Sequence, residues 1–263
     1  MSCYEQMEDL HFRGLQGMYF TGIQPIEFGT FLSSSEIEDT YYNYCARFKV
    51  HGNDFAENWA KVKTMFSANR TPALYVTPSS DLYGQERAFL ASFERQYTDA
   101  WMVMQNGRYL SELATTDKIT VQPITNQDDF KESFVETFQI AYSSDDPNDP
   151  YGQLSPTYKN SLLNSWGKNP EYKKCHYLAK YEGKPAGVIT AVSYKGFVGI
   201  YNVGTIPQYR HLGVGKAMMS VVSKEVGRDD VLFLQTEKGS LVEKWYETMG
   251  FQTIFYGECY TEG

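Results

Sequence analysis

Between Val203 and Met219 the chain reads VGTIPQYRHLGVGKAMM, and this stretch restricts the fold more than any other. The run before it, Phe197 to Val203 (FVGIYNV), suits a strand, and the Ala- and Met-rich run after Gly215 suits a helix. Gly213 and Gly215 stand where one becomes the other. Without a Cβ, glycine lets a bulky anion approach the main chain, so that successive N–H groups converge on it. The first turn of the helix adds N–H donors without intrahelical acceptors and the positive end of its dipole. The spacing therefore predicts a cradle for phosphate or pyrophosphate. A P-loop is excluded, because its glycines lie further apart and precede Lys-Ser or Lys-Thr, and a dinucleotide fingerprint would need glycine where Met218 stands.

Arg210-His-Leu-Gly213-Val-Gly215, preceded by Pro207, resembles the acetyl-CoA loop of the GNAT acyltransferase superfamily, Arg/Gln-x-x-Gly-x-Gly/Ala. Downstream, Tyr246, Gly250 and Phe251 in WYETMGF match the Tyr-x-x-x-Gly-Phe that ends the family's last core helix. The resemblance covers roughly Thr120 to the C-terminus. It implies an α/β fold with a mixed, mostly antiparallel central sheet flanked by helices, and transfer of an acyl group, by default acetyl, from acetyl-CoA to an amine.

At 263 residues the chain exceeds a typical single domain of roughly 100–200, so two domains are expected. The division falls at residues 1–116, a smaller α/β domain without a CoA loop, and 117–263, the catalytic domain. A 42% hydrophobic, 16% aromatic composition is ample for two buried cores. The net charge of −8 supplies no basic surface for nucleic acid or anionic membrane. The acidic opening MSCYEQMEDL lacks the basic start and apolar run of a signal peptide, and no stretch approaches the roughly 20 apolar residues of a membrane span. Cys3, Cys45, Cys175 and Cys259 form no CxxC pair, so the expectation is reduced thiols in the cytoplasm and no metal.

Along the first half, Leu10 to Gly29 reads as short elements and turns; helix is expected from Ser35 or Glu36 and from Asp54 to Ser67, where Phe55, Trp59, Val62 and Phe66 recur at helical spacing. A strand at Ala73–Pro78, a helix at Asp81–Phe93 and a strand at Asp99–Met104 follow, and NGR at Asn106 marks a turn or domain seam. Strand, helix, strand also ends the chain (VLFLQT, Leu241–Met249, FQTIFY), which suggests that the first half is a diverged copy of the second, or else an unrelated α/β domain. The second half opens with a strand at Ile119–Ile124 and a helix led by Asn126 and Asp128 with Phe130, Phe134 and Phe138. The polar Ser143–Gln153 is either a solvated turn or a wall of the substrate pocket. A second helix follows Ser155-Pro156, and KCHYLAKY and AGVITAVSY form a hairpin at Glu182–Pro185.

The resemblance assigns the main chain of Val203 and Thr205 to the pantetheine arm and thioester, and the loop Arg210, His211, Leu212, Gly213, Val214, Gly215 and Lys216 to the phosphates. Arg210, His211 and Lys216 could add positive charge, although solvation explains each equally well; at His211 the main chain rather than the ring would bind. Amine acetylation needs the neutral amine, a donor to the thioester oxygen and an acid for the departing sulfur. Tyr246, protonated at neutral pH with an ordinary pKa of about 10, is the candidate acid. The strand FVGIYNV lacks the carboxylate that many members place there, and Gly239 replaces a frequent Asn seven residues before the tyrosine. The base is therefore open between Glu237, Tyr201 and water, with Glu237 the nearest carboxylate by topology; His176 reads as structural. The implied partner is a small-molecule or peptide amine, with a homodimer possible. A non-catalytic acyl-CoA sensor or assembly module is the alternative.

Overall fold

The computed structural model describes residues 2–50, 55–105, 110, 116–125, 130–143, 153–166, 171–224, 227 and 230–263. Along the chain these form α1 (Cys3–Gly14), β1 (Gly22–Ile26), β2 (Gly29–Ser33), β3 (Tyr44–Ala46), α2 (Phe55–Lys63), β4 (Ala73–Val76), α3 (Glu86–Phe89) and β5 (Phe93–Gln105). They continue with β6 (Ile119–Ile124), α4 (Phe130–Tyr142), α5 (Pro156–Leu163), β7 (Lys173–Tyr181), β8 (Lys184–Tyr194) and β9 (Phe197–Thr205). A 3₁₀ turn (Pro207–Tyr209), α6 (Val214–Lys224), β10 (Val231–Glu237), α7 (Leu241–Thr248) and β11 (Gln252–Glu262) complete the order. The predicted seam at Asn106, the helix lead at Asn126 and Asp128, and most of the Ser143–Gln153 loop lie outside the described residues.

Two compact units result: Met1–Val103 with Gln235–Gly263, and Met104–Leu234. The sequence division at 116/117 assigns α7 and β11 to the second half, but β11 pairs antiparallel with both β4 and β5, so it is a strand of the first unit's sheet. In that unit β1, β2 and β3 pair antiparallel in turn, β3 runs parallel to β4, and β11 lies between β4 and β5. The predicted stripe on α2 is observed: Trp59 and Val62 lie in a core with Phe28, Cys45, Phe48 and Leu74, and Phe55 and Phe66 pack against it. In the second unit β6, β7, β8 and β9 are successively antiparallel, and β10 joins β9 in parallel. The mixed, mostly antiparallel α/β architecture is as expected.

Three local readings of the first unit are corrected. The stretch after Ser35 is not helical, because side chains take its backbone groups: Asn43 Oδ1 accepts from Ser34 N–H (2.9 Å) and Asn43 Nδ2 donates to Ile37 and Asp39 carbonyls (2.8 and 2.9 Å). The helix expected over Asp81–Phe93 shrinks to Glu86–Phe89, since Gly84 turns at φ +78. The strand expected at Asp99–Met104 begins at Phe93, its polar first half paired with β11 and carrying a cross-strand Arg95–Glu258 bridge at 2.7 Å. A helix not anticipated, α1, starts at a capping box in which Ser2 Oγ accepts from Glu5 N–H and Ser2 N–H donates to the Glu5 carboxylate.

Candidate functional site

In the second unit, β9 pairs with β10 only as far as Phe233↔Gly199, while its pairing with β8 runs on to Thr205. The β8–β9 ladder slips between Val188↔Gly204 and Thr190↔Tyr201, so β9 spends three residues where β8 spends two. Asn202, in this bulge, has φ +56, a conformation that asparagine tolerates better than most residues. Its Nδ2 donates to Thr190 Oγ1 at 3.0 Å, and the same oxygen lies 2.8 Å from His176 Nδ1. His176 is buried between Phe134 and Trp166, and burial, helped by Lys174 and Lys131, pushes its pKa down to about 3. A ring that stays neutral and bonded to Thr190 agrees with the structural reading of His176.

The bulge aims the rest of β9 at the junction. Gly204 has no room for a side chain, because a Cβ there would meet Tyr142 Cε2 at 2.8 Å and Ala141 Cβ at 2.9 Å, both on α4. The Tyr142 hydroxyl in turn donates to the Val203 carbonyl at 3.1 Å. Ile206 N–H donates to Ala186 O (2.9 Å), a single 3₁₀ turn follows, and His211 (φ +64) and Gly213 (φ +91) then adopt left-handed conformations before α6 begins. Arg210 braces the loop: its Nε donates to Thr205 O at 3.2 Å and one terminal nitrogen to Ala141 O at 3.3 Å, at the C-terminal end of α4.

From His211 to Lys216, none of the backbone N–H groups donates to a carbonyl oxygen among the described residues; the next one, Ala217 N–H, donates to Gly213 O at 3.0 Å. Alternating left-handed residues and the first turn of α6 thus bring together a run of free donors. His211, Leu212 and Lys216 are exposed, Gly213 and Gly215 are half-buried, and Val214 is buried as the apolar anchor of α6. The predicted residues Val203, Thr205, Arg210, His211, Leu212, Gly213, Val214, Gly215 and Lys216 are therefore contiguous along one strand end and one loop, with a donor set suited to an anion.

The two candidate catalytic residues belong to the first unit. Tyr246 is buried on α7 between Trp245 and Phe251, with ring centroids 4.8 and 5.6 Å away. The Tyr-x-x-x-Gly-Phe spacing has a local cause. Gly250 (φ +95) ends α7, Phe251 N–H donates to Tyr246 O (3.2 Å) and Gly250 N–H to Glu247 O (2.9 Å), the two bonds of a Schellman cap. Glu237 is the exposed last residue of β10. Tyr201, the other candidate base, has its phenol held well above its ordinary pKa by burial.

Sequence reasoning missed a further cluster in the first unit. Trp101 Nε1–H donates to Tyr75 Oη at 2.8 Å, and Tyr75 donates to Asp99 Oδ2 at 2.9 Å. Burial, opposed by the Tyr75 bond and assisted by the charge of Glu237, pushes the Asp99 carboxyl up to about 7. Asp99 and Trp101 alternate along β5, but Tyr75 comes from β4, and no contiguous motif joins them. Among the described residues no group of His, Cys, Asp and Glu is arranged to hold a metal, and no helix is long and apolar enough to cross a membrane.

Residues 130–251 match the model of the Acetyltransferase (GNAT) family. No curated protein matches the sequence. The fold is similar to that of a functionally unknown conserved protein from Staphylococcus epidermidis ATCC 12228 (TM-score 0.70, 11% identity, 98% of this chain and 99% of that one). It is similar also to a GCN5-related N-acetyltransferase from Kribbella flavida (TM-score 0.69, 13% identity, 100% and 96%). A tandem GNAT protein from the clavulanic acid biosynthesis pathway aligns over 79% of this chain and 67% of its own, with TM-score 0.56 and 11% identity.

Proposed function

We propose, from the match of residues 130–251 to the GNAT acetyltransferase family model, that this chain is a cytoplasmic N-acetyltransferase that takes acetyl-CoA as cosubstrate and a small-molecule or peptide amine as acceptor. The observation that carries this reading is the run of N–H groups from His211 to Lys216 without carbonyl acceptors among the described residues, at the positive end of α6. A diphosphate is the guest such a run suits, and the glycines at 213 and 215 keep the main chain accessible to it. Acetyl-CoA supplies an activated acyl group. The chain's part is to hold it by the main chain of Val203, Thr205 and the loop, to accept a proton from the amine and to return one to sulfur.

In this reading Tyr246 is the acid and Glu237 the base, with direct attack of the amine in a ternary complex. The phenol suits its part because it stays protonated at neutral pH. Calorimetric titration with acetyl-CoA and CoA, followed by assay of thiol release across an amine panel, tests the proposal. Saturable binding with amine-dependent release is expected. Binding without release across the panel would make the chain an acyl-CoA sensor instead, and absence of binding would remove both readings.

A further inference from the structure

Polar main-chain groups alternate sides along a strand, so the pairing of β9 fixes which of them face outward. Ile206 N–H donates to Ala186 O (2.9 Å), continuing the β8–β9 register, and Gly204 stands opposite Val188 two residues earlier. Ile206 and Gly204 therefore turn their N–H and C=O groups toward β8, and Val203 and Thr205 turn theirs away from it. On that outer side the pairing of β9 with β10 has already ended, at Phe233↔Gly199. Among the described residues neither Val203 N–H nor Thr205 N–H donates to a carbonyl outside the sheet. A bare edge of this kind presents donors and acceptors together.

Here the acceptors are taken. The Tyr142 hydroxyl donates to Val203 O at 3.1 Å, and Arg210 Nε donates to Thr205 O at 3.2 Å. Arg210 is itself tied to Ala141 O at 3.3 Å, so both carbonyls are held from the last turn of α4. The Tyr142 ring is placed for its part. It packs on the buried Phe138 one turn earlier, with centroids 4.6 Å apart, and lies over Gly204, where a Cβ would meet its Cε2 at 2.8 Å. The carbonyl it holds belongs to the Val203–Gly204 peptide, whose rotation a glycine resists least. Turned over, that peptide would withdraw Gly204 N–H from β8 and undo the ladder beyond the bulge.

We propose that Tyr142 is a positioning residue for the pantetheine arm of an acyl-CoA. By holding the Val203 carbonyl it keeps the Val203 and Thr205 N–H groups as the outward donors of β9, aligned for the amide and thioester oxygens of the arm, which only accept. Tyr142 has this task only if the chain takes an acyl-CoA, the reading on which it rests, and it stands outside both the glycine loop and the Tyr-x-x-x-Gly-Phe signature.

Tyr142→Phe keeps the ring on Phe138 and Gly204 and removes only the hydroxyl. Calorimetry of the full chain, wild type and variant, with 3′-phosphoadenosine 5′-diphosphate and with CoA separates the two parts of the ligand: the first carries the phosphates and nucleoside and reads the cradle, and the second adds the arm. Both should bind the wild type, CoA more tightly. In the variant the affinity for CoA should fall about 3- to 10-fold, the range of one lost hydrogen bond, while the affinity for 3′-phosphoadenosine 5′-diphosphate and the melting temperature stay as in the wild type. Undiminished CoA affinity would overturn the role, and so would an equal loss for both ligands, which would make Tyr142 a support of the whole unit. CoA binding the wild type no more tightly than 3′-phosphoadenosine 5′-diphosphate would overturn it as well, because the arm would then gain nothing from β9. If neither ligand binds the wild type, the acyl-CoA reading itself falls and this role falls with it, an outcome distinct from the other three.

Discussion

The loop from Val203 to Lys216 and the cluster at Asp99 are built on opposite plans. The loop offers main-chain donors to an anion, and its polar side chains either face solvent, as at His211 and Lys216, or brace the backbone, as at Arg210. The cluster turns its polar atoms on one another, Trp101 donating to Tyr75 and Tyr75 to Asp99, and a glycine, Gly257, is present to make room for side chains rather than for a ligand. A site made of backbone is written in consecutive residues, because loop conformation fixes it. A cluster made of side chains from β4 and β5 depends on strand pairing that local sequence does not state.

The sharpest way to separate the two is Gly215→Glu. A carboxylate in the first turn of α6 would repel a diphosphate and fill the space that glycine leaves. Affinity for acetyl-CoA should fall at least ~100-fold by calorimetry, while the Asp99 cluster, in the other unit, keeps its contribution to stability. Unchanged acetyl-CoA affinity would break the anion half of the comparison. Next in size is Tyr246→Phe. If the phenol returns a proton to the leaving sulfur, kcat should drop at least ~10-fold, the low end of the general-acid range, with CoA affinity nearly intact. If turnover is unchanged, Tyr246 is only the residue whose carbonyl caps α7.

The legibility of the fold follows the same division. Strands with apolar alternation, the stripe on α2 and the strand-to-helix junction were readable, because local spacing determines them. The first half of β5 was not: FERQYTD is polar, and it is a strand because β11, about 160 residues later, pairs with it. The same pairing moved α7 and β11 out of the domain to which chain order assigns them. The capping box of α1 was present in Ser2 and Glu5 and could have been found; the brace at Asn43 could not, since its partners at Ser34, Ile37 and Asp39 form no helical or strand period. Within the loop, the glycines and Arg210 were legible. The Asn202–Thr190–His176 chain behind the bulge was not, because it crosses three strands.

That chain gives a smaller prediction. If Asn202 holds the bulge through its positive φ and its bond to Thr190, alanine loses both and glycine only the bond. Asn202→Ala should weaken acetyl-CoA binding by about 3- to 10-fold, as roughly 1 kcal/mol of backbone strain implies, and Asn202→Gly should come close to the wild type. Equal losses in both would make the side-chain bond, not the backbone, the element that matters.

The smallest expected effect sets the two regions against each other through pH. His176 in the second unit and His11 in the first both have pKa values pushed down to about 3 by burial, below the 6.5 they regain on unfolding. The unfolded chain therefore binds the extra protons between pH 3 and 6.5, and these residues make stability rise with pH across that window. Asp99 acts with the opposite sign. Its carboxyl is pushed from 3.8 up to about 7, so the folded chain holds the extra proton between those values, and stability falls as pH rises through them. In Asp99→Asn the falling contribution disappears while the rising one remains. At pH 8 the variant should melt about 2–4 °C above the wild type, as ~1 kcal/mol gives in a chain of this size, and at pH 4 the two should coincide. Scanning calorimetry at both values decides it: a variant less stable at pH 8 would mean that the charged carboxylate already has its counter-ion within the fold.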